Sequence, residues 1–146
     1  LMGKFNQDQG IRDIEATVHH IRREEGVPKV GCVGYCLGGR LAYMTAARTD
    51  VDASVGYYGV GIDGLLDEKH AIAHPLMLHI PTEDGFVDKD TQKAMHAGLD
   101  DHPKVTLHDY EGLDHGFATE FGKRRSDEAA QLADSRSAEF FAKHLG

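Results

Sequence analysis

A cysteine flanked by glycines, Gly34-Tyr35-Cys36-Leu37-Gly38, follows an apolar run at 29–33 and opens a helical pattern. A strand-to-helix turn this tight crowds the residues on either side of its centre, hence glycine at 34 and 38. The turn lifts the thiol to the end of the strand and the N-terminus of the helix, where partial positive charge favours thiolate. Such a thiol is suited to attack a carbonyl carbon, provided that a base takes its proton and a carboxylate orients the base. Two later segments offer those groups. His115 lies in Glu111-Gly-Leu-Asp-His-Gly116, just after a strand pattern and between Gly112 and Gly116; of ten histidines it alone has that setting. Asp84 leaves the preceding strand pattern in Pro81-Thr-Glu-Asp-Gly85, and Asp88 is the rival, further from the strand end. Asp114 is expected to face solvent rather than the His115 ring, because adjacent residues diverge.

These groups need a frame that brings three distant loops together. Ile11, Ile14, Val18 and Ile21 recur at steps of three and four, so a helix spans about 8–25 and stops at Gly26 and Pro28. A buried strand at 29–34 follows, then a helix at 38–49 whose Gly38 and Gly39 allow close approach to the sheet. A second strand covers 51–58, an irregular segment follows, and 75–80 is a third strand. A helix at 89–100 and a strand at 104–110 come next. Ser126 caps a final helix that ends near Leu145, with Leu132, Phe140 and Phe141 facing inward. Strands alternating with helices make an α/β architecture with a parallel sheet, and ligands of such sheets bind beyond the strand C-termini. Cys36, Tyr58, Asp84 and His115 all fall there.

The remaining candidates read as structural. Cys32 lies inside the first strand as a small core residue, and His79 inside the third as a satisfied core or edge histidine. Of Tyr57 and Tyr58, one lines the pocket and the other packs on the opposite face. No histidine spacing suits a metal, so neither a metal nor another cofactor is expected. With 146 residues, 40% of them hydrophobic, the chain forms one domain over 1–146. Its net charge of −8 argues against nucleic acid or an anionic membrane as partner. Two cysteines too close along one strand to bridge suit a reducing, cytoplasmic setting.

Taken together, Val33-Gly-Tyr-Cys-Leu-Gly-Gly39, Val55-Gly-Tyr-Tyr-Gly-Val-Gly61, Glu83-Asp-Gly-Phe-Val87 and Asp114-His-Gly-Phe-Ala118 resemble the dienelactone hydrolase family, the carboxymethylenebutenolidases. The resemblance covers essentially the whole chain. It implies an α/β-hydrolase fold and a Cys–His–Asp triad that opens a small ester or lactone through an acyl-thioester. Cys36 would be the nucleophile, His115 the base and then acid, and Asp84 the orienting carboxylate. The Leu37 N–H would supply half an oxyanion hole, worth ~3 kcal/mol. Tyr58, Phe86 and Phe117 would line the substrate pocket. Thr119 stands where family members carry an arginine that holds the substrate carboxylate, which favours another ester, lactone or thioester.

Family members are also considerably longer, with strands ahead of the one that carries the cysteine. The chain therefore reads as the C-terminal part of such a domain, its N-terminal strands absent. The first strand would then be an apolar edge, and self-association through it, or poor stability, is expected. Two alternatives remain open from the residues: a non-catalytic scaffold that self-associates, and a thiol redox sensor built on Cys36.

Overall fold

The computed structural model of the chain describes residues 6–146. Four parallel strands lie side by side in chain order: β1 (Gly31–Tyr35), β2 (Ala53–Tyr57), β3 (Leu76–Pro81) and β4 (Val105–Tyr110). Four α-helices accompany them: α1 (Gln7–Glu24), α2 (Leu37–Arg48), α3 (Lys89–Leu99) and α4 (Asp127–Leu145). Local chemistry sets their starts. Asn6, Asp88 and Ser126 each accept a backbone N–H from the first turn of α1, α3 and α4, at 3.0, 2.8 and 3.3 Å. After α1, Gly26 takes φ 66°, a left-handed step that favours glycine.

The pleat sorts side chains to two cores. Leu76, Leu78 and Ile80 of β3 join Tyr43 and Met44 of α2 and Met95 and Leu99 of α3 on one face. Ala53, Val55 and Tyr57 of β2 and Met77 of β3 meet Ala133 and Phe140 of α4 on the other. Helix α2 descends onto the sheet because glycines clear its path. A Cβ at Gly39 would come within 2.6 Å of the Tyr57 carbonyl oxygen and 2.8 Å of the Gly59 Cα, and one at Gly56 within 2.9 Å of the Gly39 carbonyl oxygen. A Cβ at Gly34 would overlap the Gly38 carbonyl, whereas one at Gly38 would meet nothing within 4 Å. Of the two glycines flanking Cys36, only Gly34 is required for space, and of Gly38 and Gly39, only Gly39 buys the close approach.

Four other expectations are corrected. The segment after β2 is not irregular: Ile62–Ala71 forms a 3-10 helix, with Ile62 and Leu65 buried one three-residue turn apart and the Tyr43 hydroxyl donating to the Leu65 carbonyl at 3.0 Å. Strand β1 is not buried, since it is the outer strand of the described sheet and leaves Val33 48% and Tyr35 46% exposed. Leu132 is 45% exposed, because α4 turns Ala129, Ala133 and Phe140 inward instead. Tyr57 and Tyr58 do not point to opposite faces. Tyr58 leaves the strand at φ 39°, which swings its ring to the α4 side, 6.1 Å from that of Tyr57.

Candidate active site

Cys36 occupies the turn between β1 and α2 with φ 59° and ψ −117°, a backbone conformation that side chains other than glycine rarely adopt. Backbone hydrogen bonds hold it there, among them one from the Arg40 N–H to the Cys36 carbonyl at 3.3 Å. Its own N–H donates to the Tyr57 carbonyl at 3.1 Å, and the Gly39 N–H donates to the Cys36 carbonyl at 3.0 Å. Leu37 is the first residue of α2, so its N–H has no carbonyl a turn earlier in the helix to bind.

The C-terminal ends of β3 and β4 bring two more side chains to this turn. His115 is 7% exposed, with Nε2 at 2.9 Å from the Cys36 Sγ and Nδ1 at 3.0 Å from the Asp84 Oδ2. A carboxylate only accepts hydrogen bonds, so Nδ1 carries the proton and Nε2 accepts the thiol S–H. The other Asp84 oxygen accepts the Phe86 N–H at 2.8 Å, fixing the carboxylate at the loop tip. Asp88 is placed elsewhere, as the cap of α3. Asp114 does avoid the imidazole, but it is not idle in solvent. Its Oδ1 accepts the Gly85 N–H at 3.0 Å and the His115 N–H at 2.6 Å, tying the Asp84 loop to the His115 loop. Those two N–H groups hold its carboxyl below the ordinary range.

Electrostatics at the thiol differ from the expectation of a helix-stabilised thiolate. Burial, and then the Asp84 carboxylate, push the Cys36 thiol above its ordinary value, while Arg124 pulls it back. Burial and Asp84 both favour a resting thiol at Cys36, within hydrogen-bond reach of His115 Nε2. Cys32, half-buried and bonded to the Ser54 hydroxyl at 3.3 Å, is pushed up by burial as well.

The three residues expected to line a pocket part company. Tyr58 is buried beside His115, ring centroids 4.9 Å apart, and its hydroxyl is enclosed without a hydrogen-bond partner among the described residues. Burial first, and the neighbouring Cys36 next, push its phenol up. Phe86 is 65% exposed, with its ring 4.7 Å from that of His115. Phe117 is fully buried between Tyr58 and Tyr110, at 5.6 and 4.8 Å, so it is core and supports Tyr58 from behind. Two clefts open at Cys36. One, of about 560 Å³, is walled by Tyr35, Tyr58, Arg125 and Asp134; the other, of about 350 Å³, by His115, Phe121, Lys123 and Arg124.

Thr119 closes a turn, its hydroxyl 2.9 Å from the Gly116 and Phe121 carbonyl oxygens. Positive charge reaches the site instead from Arg124, whose guanidinium lies 5.8 Å over the Phe86 ring. Sequence reasoning missed Arg124, although the run Lys123-Arg124-Arg125 just after His115 was there to flag it. His79 is a satisfied core histidine, its Nδ1 2.7 Å from the Tyr110 hydroxyl and its Nε2 2.8 Å from the Ser137 hydroxyl. Among the described residues no helix is long and apolar enough to cross a membrane.

Comparison with known proteins places this arrangement in context. The model of the dienelactone hydrolase family matches residues 1–145. The carboxymethylenebutenolidase of Pseudomonas putida is 37% identical over 139 residues, covering 94% of this chain and 59% of that protein. An Azospirillum brasilense protein classed among the carboxymethylenebutenolidases is 49% identical over 110 residues, covering 75% of this chain and 48% of that one. The chain thus spans about half to three-fifths of the length of these relatives. Among solved structures, a Klebsiella pneumoniae protein classed as a dienelactone hydrolase superposes with a TM-score of 0.87 at 24% identity, over 97% of this chain and 64% of that one. An esterase of Pyrococcus furiosus superposes with a TM-score of 0.76 at 17% identity, over 98% of this chain and 66% of that one. At those identities the structures speak for the fold, which is of the α/β-hydrolase type.

Proposed function

The chain belongs to the dienelactone hydrolase family, and from that premise we propose that it cleaves a small carboxylic ester or lactone through an acyl-thioester on Cys36. The observation that carries this reading is the position of one imidazole, 2.9 Å from a thiol on a strained turn and 3.0 Å from a buried carboxylate. As Sγ attacks the carbonyl carbon, His115 Nε2 takes the thiol proton and Asp84 steadies the imidazolium that forms. The oxygen that gains charge is met by the Leu37 N–H at the start of α2. Collapse of the tetrahedral adduct breaks the ester C–O bond, and His115 returns the proton to the leaving oxygen. Water, deprotonated by the same nitrogen, then attacks the thioester and frees the acid and the thiol.

The walls of the site suggest what enters it. Phe86 offers an exposed aromatic face beside the imidazole, and Tyr58 walls the larger cleft at Cys36. Arg124 sets positive charge in the second cleft, beside His115, which suits an ester or lactone with an anionic group. No cofactor is invoked in any step. A thiol raised above its ordinary value is a poor peroxide sensor, because oxidation proceeds through the thiolate, so the hydrolytic reading is preferred to a redox one. A reducing, cytoplasmic setting accords with a resting thiol.

Release of nitrophenol from nitrophenyl acetate tests the reading. Cys36→Ala is expected to lower turnover by about 10³-fold or more, while Cys32→Ala leaves it near the parent value. Mass spectrometry of a quenched reaction should find the acyl group on Cys36. Undiminished turnover in Cys36→Ala would discard the mechanism.

A further inference from the structure

We propose that the groove between α4 and the edge strand β4 is a second binding site, for a small organic anion with a carboxylate or phosphate head on an apolar body. Helix α4 packs on β2 and β3 and leaves the adjoining face of β4 uncovered, so a cavity of about 500 Å³ opens there. That volume suits a small-molecule ligand. Lys104 and His108 line it from the β4 side and Arg136, Lys143 and His144 from α4, with Glu139 the one carboxylate among the lining residues. Such a concentration of cations runs against the composition, since the chain carries −8 overall.

Three features make this more than a patch of surface lysines. First, among the described residues no ion pair occupies Lys104, Arg136 or Lys143, although most other arginines of the chain are paired with carboxylates. Three converging cations with only the Glu139 carboxylate among them repel one another, and an anion would lower that cost. Second, Arg136 is held in place rather than mobile. Its guanidinium lies 5.5 Å over the Tyr110 ring and donates one N–H to the Tyr110 hydroxyl at 3.1 Å. That hydroxyl is itself pinned by buried His79, which Ser137 holds from the other side. A guanidinium anchored through one donor keeps the rest of its fork for an oxyanion. Third, the field in the groove is positive. Burial, followed by Lys143, Lys104 and Lys29, keeps His144 below its ordinary value, and burial followed by Arg136 does the same for His108. Both imidazoles are neutral at pH 7 and can each donate one N–H. Met77 and Phe140 supply apolar surface for the body of the ligand. No residue of this groove lines either cleft at Cys36.

Calorimetric titration of the chain with phenyl phosphate, and separately with benzoate, tests the proposal independently of any hydrolytic activity. Saturable one-to-one binding of at least one probe is expected, unchanged in Cys36→Ala. The exposed pair Lys104→Gln with Lys143→Gln, which removes charge without touching the core, should weaken that binding about tenfold or more. Arg136→Gln should do likewise, and the circular dichroism spectrum of each variant checks that it is folded. The idea is overturned if neither probe saturates, if the folded double variant binds as tightly as the parent, or if Cys36→Ala abolishes binding. Comparing the two probes tells whether a phosphate or a carboxylate head is preferred.

Discussion

Asp84 and Asp88 sit in one short loop, yet only Asp84 reaches the imidazole; Asp88 spends its carboxylate on the first turn of α3. Substitution should separate the two roles. Asp84→Asn, which disturbs the His115 tautomer, is expected to lower ester turnover by about 10²–10⁴-fold with little change in fold. Asp88→Ala, which removes the cap of α3, is expected to lower the urea midpoint and leave turnover intact. At the thiol the raised value has its own signature. In a Cys32→Ala background, alkylation of Cys36 by iodoacetamide should accelerate only as pH climbs past the ordinary cysteine value of about 8.5. Arg124→Gln should move that midpoint higher still, because Arg124 is the group that pulls the thiol down. A midpoint below neutrality would contradict a thiol raised by burial and Asp84. The sequence was sufficient to nominate Cys36, Asp84 and His115, because each follows a strand pattern and faces the same sheet edge. It could not show the balance of burial against helix field that sets the thiol, since burial depends on the distant cluster of Tyr57, Tyr58 and Phe117 against which Cys36 packs.

The four strands and four helices were legible because their apolar spacing is a local signal, as is the cap at Ser126. The 3-10 helix was not, since Gly64 and a polar composition read as loop until Tyr43 and the core take up Ile62 and Leu65. Nor could spacing tell which glycine α2 needs. Gly39→Ala should destabilise by more than about 2 kcal/mol, because its Cβ meets backbone that cannot move aside. Gly38→Ala, with open space around it and a helical backbone, should stabilise by about 0.5–1 kcal/mol. Urea denaturation of the two variants checks both signs. The β3–α4 layer makes a further prediction through His79, 1% exposed and held down to about 3 by burial first and then by His108 and Arg136. Its folded value lies below its unfolded value of about 6.5, so its contribution is whole above pH 6.5 and drains away as pH falls toward 3. The steepest loss is about 1.4 kcal/mol per pH unit. His96, raised by Asp100 and Asp109 against the burial that lowers it, has the opposite sign and offsets part of this. Imidazole NMR should find the His79 ring still neutral at pH 5; a ring protonating near 6.5 would refute the assignment.

Across the whole molecule, the sheet has two ends of different character. The β4 end is flanked by the cationic groove, whereas β1 presents Val33 and Tyr35, 48% and 46% exposed, along the outer strand of the described sheet. An outer strand carries a row of backbone N–H and C=O groups that another strand can pair, and natural edges are usually guarded by charge or proline. Strand β1 reads Gly-Cys-Val-Gly-Tyr and has neither. Net charge of −8 favours separation of copies, but long-range repulsion between exposed charges is screened at physiological salt, while backbone pairing and apolar contact are not. The balance therefore predicts that two copies of this chain pair through β1 at moderate salt, and less readily as salt is withdrawn. Val33→Lys places a charge on the exposed face of that strand without touching either core, since the Val33 side chain belongs to neither buried cluster. Light scattering coupled to size-exclusion chromatography should give a dimer mass for the parent chain and a monomer mass for Val33→Lys, with matching circular dichroism. A parent chain that elutes as a well-folded monomer at all salt concentrations would mean that β1 does not recruit a second copy.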